Sequence, residues 1–517
     1  MSNVPVLKNY VGGKWREPTH AKGSVASLNP ATGEEVAHVP LSTAADLDEA
    51  VKISKAAFPA WSGMTIKQRA AIMFTFHGLL EKHAAELAGL IVLENGKNQA
   101  EALADLAKGN ETVEWACSLP QLAAGRTLEV SGGITCREQR SPIGVVAAIV
   151  PFNFPAMVPM WTIPISLTMG CTVILKPSEK VPSTMVRIAD LLAEAGVPPG
   201  VFQIVHGAAD VVTAMCDHPD IAAVTFVGSS KVAEIVTRRC DAKLKRVLAL
   251  GGAKNHLVAL PDADVGMTSR DVVASFAGCC GQRCMAASVL LVVAPPGEEA
   301  ASQALIAEIV AVAGKLQAGQ QAGQVGPLID GISKARTLSY IAESEAGGAK
   351  VLLDGRSWAQ KNEAGFWVGP TILLHTNKED RAVKDEIFGP VLSILVVSSW
   401  DEAIAIENSN PYGNAACIYT SAGASADWFV KRFRASMLGV NVGIPVPREP
   451  FSFGGLYGTL SKFGSHDITG DGAMEFFSNR IKVTTKWTAS YSTGGAAQQS
   501  AAASPNVVDK ANFDGKL

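Results

Sequence analysis

Much of what narrows this 517-residue sequence is what it does without. No stretch reaches the roughly 20 uninterrupted apolar residues that a bilayer-spanning helix requires. The longest candidate, residues 151–175, is broken by Pro155, Pro159, Pro164 and Gly170 and reads as buried structure, so no membrane partner is expected. The opening, MSNVPVLKNY, lacks the charged-then-apolar pattern of a secretory signal. A formal net charge of -3 leaves no basic excess for nucleic acid. Nine cysteines, two of them adjacent at Cys279 and Cys280, do not form the framework of a small secreted domain. A reducing cytoplasm is the expected location. No second Cys pair or His pair stands at ligand spacing, so no metal is expected. There is no internal repeat and no G-x-G-x-x-G fingerprint.

What is present is length, apolar content and alternation. The chain is too long for one core, so two or three structural units are expected. Tyr10 to Trp15 reads as an extended opening, followed by the turn Asn29-Pro-Ala-Thr-Gly33. Apolar residues at three- and four-residue spacing predict helices over 47–58, 66–95 and 101–118. From Gly144 the texture becomes short Val- and Ile-rich runs (144–150, 171–175, 201–205, 222–227), with helical segments at 184–195 and 231–239. Fully apolar strands alternating with helices predict a parallel sheet covered on both faces. A dinucleotide would sit at the carboxyl ends of such strands. A second alternating block, 255–450, contains strand-like 289–293 and 391–397 and a helix over 301–315. Beyond Trp487 the composition turns to Ser, Thr, Ala, Gly and Gln, which predicts a flexible tail over 488–517.

Four segments can carry chemistry. In Phe276-Ala-Gly-Cys-Cys-Gly-Gln-Arg-Cys-Met-Ala286, small residues around a thiol admit a substrate carbonyl, and neighbouring Arg283 is expected to favour thiolate. The same cysteines serve equally well as packing residues. Pro151-Phe-Asn-Phe-Pro155 puts an amide at a strand's end, where it can donate to an oxyanion or simply make a turn. Leu175-Lys-Pro-Ser-Glu179 offers a cation and a carboxylate to the hydroxyls of a ribose, or is an exposed turn. Phe226-Val-Gly-Ser-Ser-Lys231 opens a helix whose free N–H groups can face a pyrophosphate, with Ser229 as contact or merely as cap.

Taken in order, and with Glu386-Ile-Phe-Gly-Pro390, Asn410-Pro-Tyr-Gly413 and Gly439-Val-Asn441, these segments resemble the aldehyde dehydrogenase superfamily from about Tyr10 to Trp487. The resemblance implies an α/β fold of two parallel-sheet domains and a small β oligomerisation flap. Residues 1–119 and 143–252 would form a Rossmann-like NAD-binding domain, 253–450 a catalytic domain, and 120–142 with 468–487 the oligomerisation strands. It implies Cys284 as nucleophile and Asn153 as oxyanion donor. Cofactor contacts would fall on Val150, Phe152, Lys176, Glu179, Lys180, Gly228, Ser229, Glu386 and Phe388, and substrate contacts on Arg283, Lys108, Phe451 and Phe453. A homodimer or homotetramer acting on a small-molecule aldehyde is the implied assembly.

Finer features resemble the methylmalonate-semialdehyde (malonate-semialdehyde) branch, whose products are acyl-CoA. They are Pro151-Phe-Asn-Phe-Pro-Ala-Met157, Cys216-Asp-His-Pro-Asp220, Gly252-Ala-Lys-Asn-His256, Gly281-Gln-Arg-Cys-Met285 and Ile444-Pro-Val-Pro447. Hydrolytic relatives carry a water-activating Glu before the Gly-Gly-Lys turn; here that place holds Leu250, after Ala249. Without that base, water attacks slowly, whereas coenzyme A brings its own nucleophilic thiol. Coenzyme A is therefore the expected co-substrate. Glu179 implies NAD over NADP, because a carboxylate beside the ribose repels a 2′-phosphate. One departure is that the second of the branch's two substrate arginines is matched by Lys108, which keeps charge but loses the bidentate fork. A hydrolytic dehydrogenase using another base and a silent NAD-binding scaffold are the alternatives.

Overall fold

Short apolar runs pair into two large sheets because each has cover for both faces. The computed structural model describes residues 4–487 apart from 298, 362 and 363. The tail expected over 488–517 lies outside the described residues. In the strand Val145–Ile149, Val146 and Ala148 face one apolar cluster while Val145, Ala147 and Ile149 face another. Thr172–Lys176 divides likewise, Val173 and Leu175 against Ile174. Successive side chains of a strand point to opposite faces, so a doubly covered strand is apolar throughout. Each fully buried Val, Leu or Ile adds about 1.5–3 kcal/mol over its exposed state.

The first sheet has the order Lys462–Gly464, Arg246–Leu250, Ile221–Val227, Val145–Ile149, Thr172–Lys176, Phe202–Ile204, Asn9–Val11, Lys14–Arg16. Its five central strands are parallel and both edges antiparallel. Strand order reverses at Val145–Ile149, since the next two strands add on one side and Ile221–Val227 on the other. That reversal opens a crevice beyond the carboxyl ends, the usual ligand position in an open α/β sheet. The second sheet runs Lys350–Leu353, Thr371–His375, Val391–Val397, Ala287–Val293, Asn255–Ala259, Ala415–Tyr419, Met437–Val440. All its pairings are parallel except that of Lys350–Leu353. This is the mixed α/β architecture implied by the resemblance.

A third sheet is antiparallel and mostly exposed. Ile134–Pro142 pairs with Arg126–Ser131 on one side and with Ser478–Lys486 on the other. Arg246 fastens its base, donating from Nη1 to the carbonyls of Phe476 (2.7 Å) and Ser478 (2.9 Å) and from Nη2 to Asn479 (2.8 Å).

The helix expected over 66–95 is two helices, Ile66–Lys82 and Ala84–Asn95. His83 leaves helical geometry between them (φ -100°, ψ 13°), and its ring lies within hydrogen-bond reach of Glu86 and Arg187. The helix Gln99–Cys117 starts at a capping box. Asn98 accepts from the Glu101 N–H at 2.9 Å, and Glu101 reaches back to the Asn98 N–H at 3.3 Å. Among the described residues no helix is long and apolar enough to cross a membrane.

Candidate active site

The segment bearing Cys284 is shaped by what precedes it. Helix Val265–Ala277 gives way to the tight turn Gly278–Gly281, in which Cys279 (φ 49°) and Cys280 (φ 53°) are left-handed. Gly281 follows at φ 68°, and a Cβ there would lie 2.1 Å from the Gly389 carbonyl oxygen. Only glycine allows both that backbone and that approach. Beyond the turn, the Cys284 carbonyl accepts two side-chain amides, Asn255 at 2.8 Å and Asn414 at 2.9 Å. Asn255 also donates to the Ala286 carbonyl (2.9 Å) and accepts from the Ala415 N–H (3.1 Å). The amino ends of two central strands thereby fix the peptide after the thiol.

Burial pushes the Cys284 thiol up to about 12, and the nearby Glu386 carboxylate adds to it. The main-chain N–H groups of Cys284 and Met285 pull the other way. Arg283 does not supply the thiolate stabilisation expected for this thiol. Its guanidinium folds back over Gly278, where a Cβ would meet Nη1 at 2.8 Å, and donates to the Ala274 carbonyl (3.3 Å). It stands 3.7 Å from Glu101 and acts on Cys279, not on Cys284. The left-handed turn separates in space what is adjacent in sequence. Asn153, buried just past the strand Val145–Ile149, donates to the Gln282 carbonyl at 3.1 Å. This bond brings the carboxyl end of the first sheet to the Cys284 segment of the second.

Cys284 opens onto a cavity of about 460 Å³. Phe154, Met157, Trp161, Met285, Ile444 and Phe453 give it apolar walls, and Phe453 stacks on Trp161 at 4.5 Å. Its carboxylates are engaged. Glu101 Oε1 accepts the Cys279 N–H at 2.6 Å and faces Arg283. Asp105 is paired with buried Lys97 at 2.7 Å and accepts the Met157 N–H at 2.7 Å. Lys97 also sits 3.8 Å above the Phe154 ring. Lys108 and Arg283 line the cavity as expected positions; Phe451 does not, being 72% exposed. Its neighbour Ser452 carries the chain inward, so Phe453 takes the wall. Arg448, also on the wall, was not foreseen, although it directly follows the Ile444-to-Pro447 run. Asn255 and Asn414 were not singled out either, although Asn255 lies within the Gly252-to-His256 run and Asn414 directly follows Asn410-Pro-Tyr-Gly413.

The crevice at the strand reversal is bordered by residues that the resemblance assigns to the cofactor. Ser229 caps the helix Ser230–Asp241 without a side-chain bond to it, so among the described residues its hydroxyl and the first N–H groups can face an anion. Lys176 and Glu179 pair at 2.9 Å, and Glu179 lies below the usual carboxylate range because its two neighbouring lysines outweigh its burial. Lys180 reaches Asp330 at 2.6 Å and lies 5.1 Å from the Phe152 ring, which meets Phe388 edge-on at 5.9 Å. Val150, at the end of its strand, donates to the Lys176 carbonyl. Gly228 packs on the Phe226 ring, 2.6 Å from where a Cβ would stand. Glu386 accepts the Ala253 N–H at 3.0 Å, and a Cβ on Gly252 would lie 2.3 Å from its Oε2. Burial pushes the Glu386 carboxyl up to about 7, against the pull of that N–H and of Lys254.

This geometry has close counterparts. Residues 15–483 match the model of the aldehyde dehydrogenase family. The chain is 43% identical over 490 residues to malonate-semialdehyde dehydrogenase 1 of Geobacillus thermodenitrificans (strain NG80-2), covering 94% of this chain and 100% of that one. Methylmalonate-semialdehyde dehydrogenase from Oceanimonas doudoroffii superposes with a TM-score of 0.90 at 37% identity, over 94% of this chain and 99% of that one. A Sinorhizobium meliloti 1021 protein assigned as methylmalonate-semialdehyde dehydrogenase, complexed with NAD, gives 0.91 at 35% identity over the same shares. A cavity ending on Cys284, beside a crevice at the strand reversal, is thus the centre of a chain that belongs to the aldehyde dehydrogenase family.

Proposed function

We propose that this protein oxidises a small carboxylated semialdehyde with NAD and passes the acyl group to coenzyme A, as an acylating malonate- or methylmalonate-semialdehyde dehydrogenase does. Cys284 Sγ attacks the aldehyde carbon after passing its proton to solvent, and Asn153 with the Cys284 N–H holds the oxyanion of the thiohemiacetal. Lys176, Glu179, Ser229 and Glu386 would hold NAD, which would supply the hydride acceptor. Oxidation leaves a thioester on Cys284. With a malonate-type substrate CO2 is lost before transfer, and attack by the coenzyme A thiol releases acyl-CoA and restores the Cys284 thiol.

The observation that carries this reading is the lack of a spare base for water. The place a hydrolytic enzyme gives to glutamate holds apolar, buried Ala249 and Leu250. Both carboxylates on the cavity wall, Glu101 and Asp105, are already bonded to main-chain N–H groups and paired with cations. A hydrolytic second reading has Glu386 as base, favoured by its carboxyl standing near 7 in a recess it shares with Cys284. Its bond to Ala253 instead suits it to holding the nicotinamide ribose. The exposed apolar residues of the small sheet, Leu128, Val130 and Ile481, support assembly into a homodimer or homotetramer through those strands.

NADH formation from malonate semialdehyde, with and without coenzyme A, tests the proposal. Coenzyme A is expected to accelerate turnover and to appear as acyl-CoA by mass spectrometry. Equal rates, with free acid as product, overturn the acylating reading.

A further inference from the structure

The charges around the cavity do not balance. Its inner cations are answered one to one, Lys97 by Asp105 and Arg283 by Glu101. On the outer wall, Lys108 and Arg448 share a single carboxylate. Lys108 Nζ lies 2.8 Å from Glu111 Oε1, and Arg448 Nη1 donates to Glu111 Oε2. Neither cation has a second acceptor among the described residues. The adjacent Glu449 offers no relief at the wall, because it turns to the Thr112 hydroxyl at 2.9 Å and does not line the cavity. Glu111 is held below the usual carboxylate range, since Lys108 and Arg448 outweigh its partial burial.

The position of Arg448 is fixed from its backbone. Phe451 N–H donates to the Arg448 carbonyl at 2.9 Å, and Asp471 N–H to the Pro450 carbonyl at 3.1 Å. The guanidinium is thus delivered across the last residues of the 441–450 loop onto the helix that carries Lys108 and Glu111. Lysine at 108 has no planar fork, whereas arginine offers one to a carboxylate.

From this juxtaposition we infer that Arg448 is a specificity-determining residue: with Lys108 it receives the anionic end of the substrate, and Glu111 occupies that place when no substrate is bound. The inference rests on the carboxylated-semialdehyde reading and adds a residue that reads the carboxylate. It also makes Glu111 a competitor of the substrate, which a purely structural ion pair would not be.

The test compares kcat/KM for an anionic and a neutral aldehyde of equal length, malonate semialdehyde against propanal and succinate semialdehyde against butanal. In Arg448→Ala the anionic-to-neutral ratio is expected to fall about tenfold, the scale of one charge-assisted hydrogen bond. Arg448→Lys recovers part of the loss. Glu111→Gln raises the ratio, with the change in KM for the anionic member, because the competing carboxylate is gone. A parallel loss on both members of each pair, or a ratio that falls in Glu111→Gln as well, overturns the inference. Coenzyme A dependence is measured on butanal in the same preparations. Its absence rejects the acylating reading while the ratio still judges Arg448.

Discussion

The thiol at the centre of this site is set against ionising until something changes around it, and that is measurable. A thiol pushed up to about 12 is thiolate in about one molecule in 30,000 at pH 7.5, against about one in 30 for an ordinary thiol near 9. Since only the thiolate attacks, alkylation of Cys284 by iodoacetamide in the enzyme without cofactor is expected to be about a thousandfold slower than for an unhindered cysteine. Glu386 is the second cause of the upward push, so Glu386→Gln lowers the thiol and speeds alkylation severalfold. The sign depends on pH. The Glu386 carboxyl itself stands at about 7, so the acceleration is present above that value and vanishes about a unit below it, where the native carboxyl is already neutral. The assay is mass spectrometry of the Cys284 peptide after timed alkylation between pH 5.5 and 10. Restricted access alone would lower the rate by a constant factor and leave an inflection near 9. An inflection there, or a Glu386→Gln variant no faster at pH 8 than the native protein, refutes the reasoning.

Two further predictions concern the frame of the site. Asp105→Asn leaves the Lys97 cation buried without its partner, at a cost of about 3–5 kcal/mol; urea unfolding reads it, and a loss under about 1 kcal/mol contradicts the assignment. Asn414→Ala removes one of two donors to the Cys284 carbonyl, so kcat is expected to drop about tenfold while stability changes by about 1 kcal/mol; a fall in both kcat and stability in proportion to unfolding would make the amide merely structural.

The two large sheets were readable because each strand had to be apolar on both faces. Runs such as Val145–Ile149 and Val391–Val397 admit few other uses where no helix of the described residues is long and apolar enough to cross a membrane. The strand Arg246–Leu250 was not picked out. It is apolar only after Arg246, and its edge partner Lys462–Gly464 lies more than 200 residues away and carries no pattern of its own. The break at His83 was invisible because apolar spacing continues through it; the backbone angles of His83 show the interruption, and its ring there meets Arg187.

The site divides along the same line. The backbone positions of Asn153 and Ser229 were legible because one follows a strand and the other starts a helix, whereas Cys284, in a turn before the strand Ala287–Val293, was marked only by the small residues around it and by the resemblance. Directions were not legible. Arg283 adjoins Cys284 in sequence, yet two left-handed cysteines turn its guanidinium toward Gly278 and Glu101. Arg448 and Glu111 are 337 positions apart and meet beside the cavity. A motif can report which backbone a residue sits on, because that is local. Which charge answers which is decided by the packing of two sheets against each other, and the electrostatics of the cavity wall therefore had to come from the folded chain.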